Sequence, residues 1–543
     1  MSAYYDLGSH HRTISTSSPE AQRWFDRGLI WTYGFNHEEA VRCFNRVLEH
    51  DPACAMAYWG IAYASGPNYN RHWGQFDPVS LARMVELTHT ASQQAIALAA
   101  NASPTEQGLI GALAKRYQSP QPTDDFSRWN DDYASAMREV YEAYPDDLDV
   151  VALYAESLLN RTPWLMWDLP KAAPAEGAST VDAKDALERA LATPEAHVHP
   201  GVLHMYVHLM EMSPYPEHAL RAADLLRSLV PDAGHLRHMA THIDVLCGHY
   251  HNVVESNLAA IDVDRTFLER EGAMNVYTLY RVHNYNFAMY GAMFLGQRQV
   301  AIDAGEGLAN SIPEALLRRE VPPMADRLEA PVSLKTHALI RFGMWQEIID
   351  LPLPEDQALY CVTTAMLHYA KGVAFASGGR VAEAEEQRAL FEAATERVPA
   401  SRYLHNNRCL DILAIAREML NGELEYRKGN YDIAFAHLRR SIELEDNLLY
   451  DEPWGWMQPT RHAYGALLLE QGHVEEAEAV YRADLGLDDT LVRASQHPEN
   501  VWALHGYHEC LTRLGKHAEA RMIKQRLDLA NARADVPIQA SCY

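Results

Sequence analysis

Between Ala21 and Pro52 the residues fall at intervals that leave the chain few choices of fold. With Ala21 as position 1, Trp24 falls at 4, Gly28 at 8, Trp31 at 11, Ala40 at 20, Phe44 at 24 and Pro52 at 32. Small residues at 8 and 20 let two antiparallel helices approach closely, and large ones at 4 and 24 fill the space between them. The C-terminal third repeats the pattern. Gly372, Phe375, Gly379 and Ala384 fit positions 8, 11, 15 and 20; Gly422, Gly429, Tyr431 and Ala434 fit 8, 15, 17 and 20. Gly465, Gly472, Ala477 and Tyr481 fit 8, 15, 20 and 24, and Leu511, Gly515 and Ala520 belong to a looser unit. Between the ends, units are expected to start near Leu148, Pro200, Gly234, Val282 and Glu329. The chain reads as all-α, a right-handed superhelical solenoid of helix–turn–helix repeats.

Three stretches follow from the register, in one continuous array: N-terminal repeats over 1–147, a histidine-rich centre over 148–350 and C-terminal repeats over 351–543. Four insertions interrupt the pattern, after Gly66, Ser119, Arg161 and Tyr450, each marked by Pro, Asn, Asp or Gly. They carry Tyr69, Trp73, Trp164, Trp167, Trp454 and Trp456. Long aromatic insertions in an otherwise regular array are expected to wall a pocket.

The centre holds the chemistry. In the unit from Pro200, His204 is position 5, His208 is 9 and Glu211 is 12; in the unit from Gly234, His235 is 2, His238 is 5 and His242 is 9. At about 100° per residue, positions 2, 5, 9 and 12 share one helix face. Two His-x-x-x-His pairs therefore recur at a separation of 34 residues and are expected to lie side by side. Glu156, at position 9 of the unit from Leu148, and His283, at position 2 of the unit from Val282, fall in the same row.

Histidines at i and i+4 can present two ring nitrogens to one ion, and pairs on adjacent helices can complete one site or hold two ions. Imidazole-rich sites suit copper, iron, nickel and zinc, and no Cys-x-x-Cys pair offers thiolates. His204, His208, His238, His242 and His235 are the expected metal ligands. Glu211, Glu156 and His283 are the expected catalytic groups, acting as base or facing substrate. His37 and Glu38 read as a helix cap, and Arg461, His462, His505 and Glu509 as candidate anchors for a carboxylate.

A formal charge of −26 excludes a general binder of nucleic-acid backbones and a protein docking on anionic membranes. The seven cysteines are scattered, so no disulfide framework is expected. With no signal-peptide core and no apolar run long enough to span a bilayer, a cytoplasmic location is expected.

The stretches WTYGFNHEEAVRCF, DPACAMAYWGIAYASGPNYN, HMYVHLMEMSPYPEHAL, AGHLRHMATHI and VYRADL resemble large bacterial and fungal tetratricopeptide-repeat proteins. The resemblance implies the solenoid fold and a concave groove lined by positions 2, 5, 9 and 12. Where peptide-binding members place Lys and Arg clamps at 5 and 9, this chain has histidine. The expected function is a metal-dependent oxidoreductase, with copper or iron favoured and zinc allowed, acting on a small aromatic or polyketide-like molecule. The alternatives are a scaffold gripping a protein partner in the groove, and a zinc-dependent hydrolase or hydratase.

Overall fold

The computed structural model describes residues 4–542. They form two compact units: the described residues up to Ile243 with Ala259–Tyr277, and Asp244–Leu258 with the residues from Thr278 onward.

The first unit is built from helical hairpins. Helix Pro19–Tyr33 starts where the Ser18 side chain accepts the Ala21 N–H and Pro19 supplies a preset φ. Helix His37–His50 starts on Asn36, which accepts the Glu39 N–H. A β-carbon at Gly28 would lie 2.6 Å from the Phe44 ring, and so would one at Gly60. Phe44 thus locks this hairpin to the next helix, and only glycine fits at either contact. The hairpins that follow are Ala55–Ser65 with Pro78–Leu98, Pro104–Arg116 with Ser127–Ala143, Leu148–Leu159 with Thr180–Leu191, and Pro200–Met210 with Leu220–Leu226. Helices begin at Leu148 and Pro200, where the repeat register places them. The insertion after Gly66 is a loop with one 3-10 turn at Trp73–Gln75. The insertion after Arg161 folds into a short antiparallel ribbon, Trp167–Asp168 on Ala173–Pro174.

The second unit pairs Thr278–Leu295 with Arg298–Asn310, Lys335–Arg341 with Trp345–Asp350, Cys361–Ser377 with Val381–Thr395, Cys409–Arg427 with Tyr431–Asp446, Thr460–Glu470 with Val474–Asp484, and Val501–Arg513 with His517–Asn531. Two predicted starts move. The helix expected from Val282 begins at Thr278, and the one expected from Glu329 begins only at Lys335, after a 3-10 turn at Ala330–Ser333. Glu329 instead serves a neighbouring helix. Its buried carboxylate accepts the N–H groups of Val362 (3.2 Å) and Thr363 (2.8 Å), capping helix Cys361–Ser377.

Position 15 closes the short hairpin turns. Gly248, Gly296, Gly343, Gly379, Gly429, Gly472 and Gly515 stand there with φ between 62° and 82°, a region that favours glycine. In the first unit the same position is Phe35, with φ of 54°.

His337, on helix Lys335–Arg341, gives the second unit a pH response. Burial, with a smaller effect from Arg341, pushes its imidazole down to about 3. Below pH 6.5 the unfolded chain takes up a proton that the folded chain refuses, so this stability is intact above 6.5 and is lost as pH falls toward 3. From pH 7 to 5 the expected loss is about 2 kcal/mol. His337→Gln should flatten that slope in urea titrations by close to one proton; an unchanged slope would show that His337 does not titrate on unfolding.

Candidate metal centre

The expected ligands come from consecutive hairpins of the first unit. Helix Pro200–Met210 begins where the His199 Nδ1 accepts the Val202 N–H at 3.2 Å, and every residue of the helix is buried. A β-carbon at Gly201 would stand 2.6 Å from the Tyr33 ring, so glycine there allows close approach to the end of helix Pro19–Tyr33. His204 then donates from Nδ1 to the Tyr33 carbonyl at 2.6 Å, one of the carbonyls a helix end leaves without an intrahelical partner. His208 lies one turn further on the same face.

The next segment, Gly234–His238, is followed after Met239 by Ala240–Leu246. A β-carbon at Gly234 would collide with Asp264 Oδ1, which fixes how this segment enters. The Met239 N–H donates to the His235 carbonyl and the His242 N–H to the Met239 carbonyl, so the chain stays wound and keeps His238 and His242 a turn apart.

Glu211 organises the set. Its carboxylate accepts from His208 Nδ1 (3.1 and 3.2 Å) and from His242 Nδ1 (2.8 Å). A carbonyl and a carboxylate only accept, so the protons of His204, His208 and His242 sit on Nδ1 and their Nε2 atoms carry lone pairs. This back-side bonding to a carboxylate or carbonyl is how metal-ligating histidines are held. The Nε2 atoms of His204 and His208 are buried and meet no hydrogen-bond partner among the described residues. One ring nitrogen from each of His204, His208 and His235 falls within a 4.8 Å set. Ligand nitrogens about 2.0–2.1 Å from an ion lie roughly 3–4 Å from one another, so small side-chain adjustments would close this set on one ion.

Burial keeps His204, His208 and His235 neutral, as ligation requires. His204, His208, His235, His238, His242 and Glu211 are each at most 1% exposed. Desolvation, then the repulsion of His208 and His242, pushes His204 well below its ordinary range. Desolvation followed by His242 does the same to His208, and desolvation followed by the neighbouring histidines does so to His235.

Aromatic rings wall the cluster. Phe35 stacks on His208 (5.6 Å between centroids, 16° between planes) and on His235 (5.4 Å, 22°), and packs on His204 at 4.6 Å. From the two insertions, Tyr69 lies 4.9 Å from His208, and half-buried Trp164 lies 4.9 Å from Tyr69 and 6.3 Å from His208. Trp164 holds the left-handed φ of 62°, a strained backbone for a bulky residue. Of the other insertion tryptophans in this unit, Trp73 stacks on Phe126, and Trp167 donates to the Leu209 carbonyl at 2.6 Å.

Glu156 is placed elsewhere. Its carboxylate is paired with the fully buried Arg116 (Nη2 to Oε1, 3.3 Å) and also accepts from Asn160. It holds a guanidinium in the core, and these contacts occupy the carboxylate that the sequence suggests as a base. Glu211 stands behind His208 and His242 as a positioning group. His283 lies in the second unit on helix Thr278–Leu295, half-buried, edge-on to Phe287 and His405. Another close group, His10, Asp149 and His199, is a hydrogen-bond hub: because the His199 Nδ1 accepts Val202 N–H, its proton sits on Nε2 and points to Asp149 Oδ1 at 3.1 Å. Arg12 at 3.0 Å and the Tyr33 hydroxyl at 2.6 Å fill the rest of that carboxylate, which leaves no room for a second cation.

Two contributors lie outside the groove positions that single out the histidines. Tyr33 acts through its backbone carbonyl, which leaves no trace in side-chain periodicity. Phe35 does leave a trace, as a bulky residue at the glycine position of the turn.

No protein-family model matches the chain, and no curated protein matches it. Among solved structures, yeast Tom70 aligns over 93% of this chain and 96% of its own, at 11% identity and a TM-score of 0.29. The P58(IPK) TPR domain aligns over 92% and 99%, at 10% identity and 0.20, and the APC/C hetero-tetramer Cut9-Hcn1 over 90% and 96%, at 11% and 0.24. Likenesses of this size carry nothing about chemistry, and the helical-hairpin architecture stands on the chain's own geometry. No helix among the described residues is long and apolar enough to cross a membrane.

Proposed function

We propose that the chain is a metal-dependent oxidoreductase whose first unit holds copper on His204, His208 and His235, with His238 and His242 beside them, and acts on a small aromatic molecule. The observation that carries this reading is the orientation of three imidazoles: the Nδ1 protons of His204, His208 and His242 are tied to the Tyr33 carbonyl and to Glu211, which turns their Nε2 atoms into a buried interior. Charge balance favours copper over a permanently divalent ion. His204, His208 and His235 are held neutral by burial, Glu211 is the carboxylate that bonds His208 and His242, and uncompensated charge is costly in the interior. A univalent copper ion brings less charge into this interior than a divalent ion does; iron and zinc are the second choices among imidazole-binding ions.

Bound copper would supply electron transfer between substrate and dioxygen. The chain's own residues do the rest. Glu211 and the Tyr33 carbonyl fix ring orientation, Phe35 excludes water, and half-buried Trp164, backed by the buried Tyr69, is the ring that a planar substrate would meet first. Two electrons and two protons leave the substrate, and dioxygen takes them up as hydrogen peroxide.

Elemental analysis of untagged protein reconstituted with Cu, Fe or Zn tests the metal. Stoichiometric copper is expected, and its loss in the double variant His208→Ala, His242→Ala. Less than about 0.2 metal per chain would sink the metal reading and leave a partner-binding scaffold. Copper-loaded protein that consumes no dioxygen with any phenol of a broad panel would sink the redox reading while leaving the metal one.

A further inference from the structure

We infer that the centre is built for two metal ions, the second held by His238 and His242. This rests on the copper reading above and extends it. Its first support is the number of donors. Five buried imidazoles crowd together, with ring centroids 4.6 Å apart for His204 and His208, 5.0 Å for His204 and His235, 5.8 Å for His235 and His238, and 4.7 Å for His238 and His242. A tetrahedral ion takes four ligands, and the pairing of rings divides them as three and two.

The second support is the contact between His238 and His242, whose Nε2 atoms meet at 2.7 Å. Glu211 holds the His242 proton on Nδ1, so the His242 Nε2 is a lone pair. His238 must then present Nε2–H to it, with its own Nδ1 facing the Thr241 hydroxyl at 3.3 Å. That shared proton sits where a cation would sit. Two nitrogens each about 2.0–2.1 Å from an ion lie roughly 3 Å apart, so a metal ion replaces the proton with an opening of a few tenths of an ångström. The proton moves to the His238 Nδ1, against the Thr241 oxygen, or leaves to solvent. No covalent bond in the protein changes.

The third support is Glu211. It bonds His208, a member of the first set, and His242, a member of the second, through one carboxylate. It orients both sets and lends its single negative charge to both ions. The rings of His208 and His242 are 5.8 Å apart and mutually perpendicular.

The test uses the full, untagged chain loaded with excess copper, dialysed and oxidised in air. Wild type is expected to retain two copper ions per chain. Its integrated paramagnetic signal should fall well below the copper content, because adjacent cupric ions couple. His238→Ala and the closer mimic His238→Gln should each drop to one copper with a signal equal to the copper content. Wild type that saturates at one copper with full signal, or two coppers unaffected by either variant, would overturn the second site and leave the single-ion reading intact. No retained copper at all would overturn both. The wild-type stoichiometry and signal decide the matter even if a variant fails to fold.

Discussion

Glu211→Ala is expected to weaken metal binding about 10- to 100-fold and to destabilise the metal-free first unit by several kcal/mol. The carboxylate is wholly buried and accepts from His208 Nδ1 and His242 Nδ1. Its removal strands two buried N–H donors, at a cost of about 1–3 kcal/mol each. It also frees both imidazoles to rotate or to switch tautomer, after which the Nε2 lone pairs no longer point to a common place. Glu211→Gln separates the two effects. The amide has nearly the same volume and its oxygen can still accept from one histidine, but its NH2 group faces the other donor. The glutamine variant should therefore keep more stability than the alanine variant yet lose the anionic charge that offsets a bound cation. Competition with a chelator reads the affinity, and urea unfolding with and without metal reads the stability. Alanine protein that stays folded and binds copper as tightly as wild type would remove Glu211 from the centre.

The hairpins are legible in the sequence because close packing leaves a mark there: Gly28 and Gly60 are glycine because the Phe44 ring presses on both. The histidine cluster is legible for a related reason, since one helix face repeats every 34 residues and side chains at matching positions come together. Partners across helices are not. Glu156 shares the groove register with the histidines, but its carboxylate turns to Arg116, and which neighbour a buried acid meets depends on packing that periodicity does not encode. A carboxylate beside histidines suggests a base, and Glu211 reads as one in sequence; hydrogen-bond geometry, invisible there, places it behind them. Helix starts drift where a side chain caps a neighbouring helix, as at Glu329, which receives the N–H groups of the helix from Cys361 instead of opening its own.

Phe35→Gly should destabilise the first unit by about 1 kcal/mol less than Phe35→Ala does, the reverse of the usual ranking of glycine against alanine. The reason is the turn. Seven glycines hold a left-handed φ at the equivalent position, and Phe35 alone among these eight does so with a side chain. Either substitution discards a ring that is 5% exposed and packed on His204, His208 and His235, and loss of a buried phenylalanine costs about 3–5 kcal/mol. Alanine keeps the backbone strain, whereas glycine relieves it. A strained bulky residue persists only where surrounding contacts over-determine it, and such positions cluster at functional sites. The stacking on His208 and His235 is what the strain supports, because it fixes the planes of two of the proposed ligand rings. Both variants should therefore release copper faster than wild type even after glycine has recovered part of the stability. Equal destabilisation by glycine and alanine would show that the turn stores no strain. Release rates unchanged in both would reduce the ring to ordinary packing, with ligand orientation resting on Glu211 and the Tyr33 carbonyl alone.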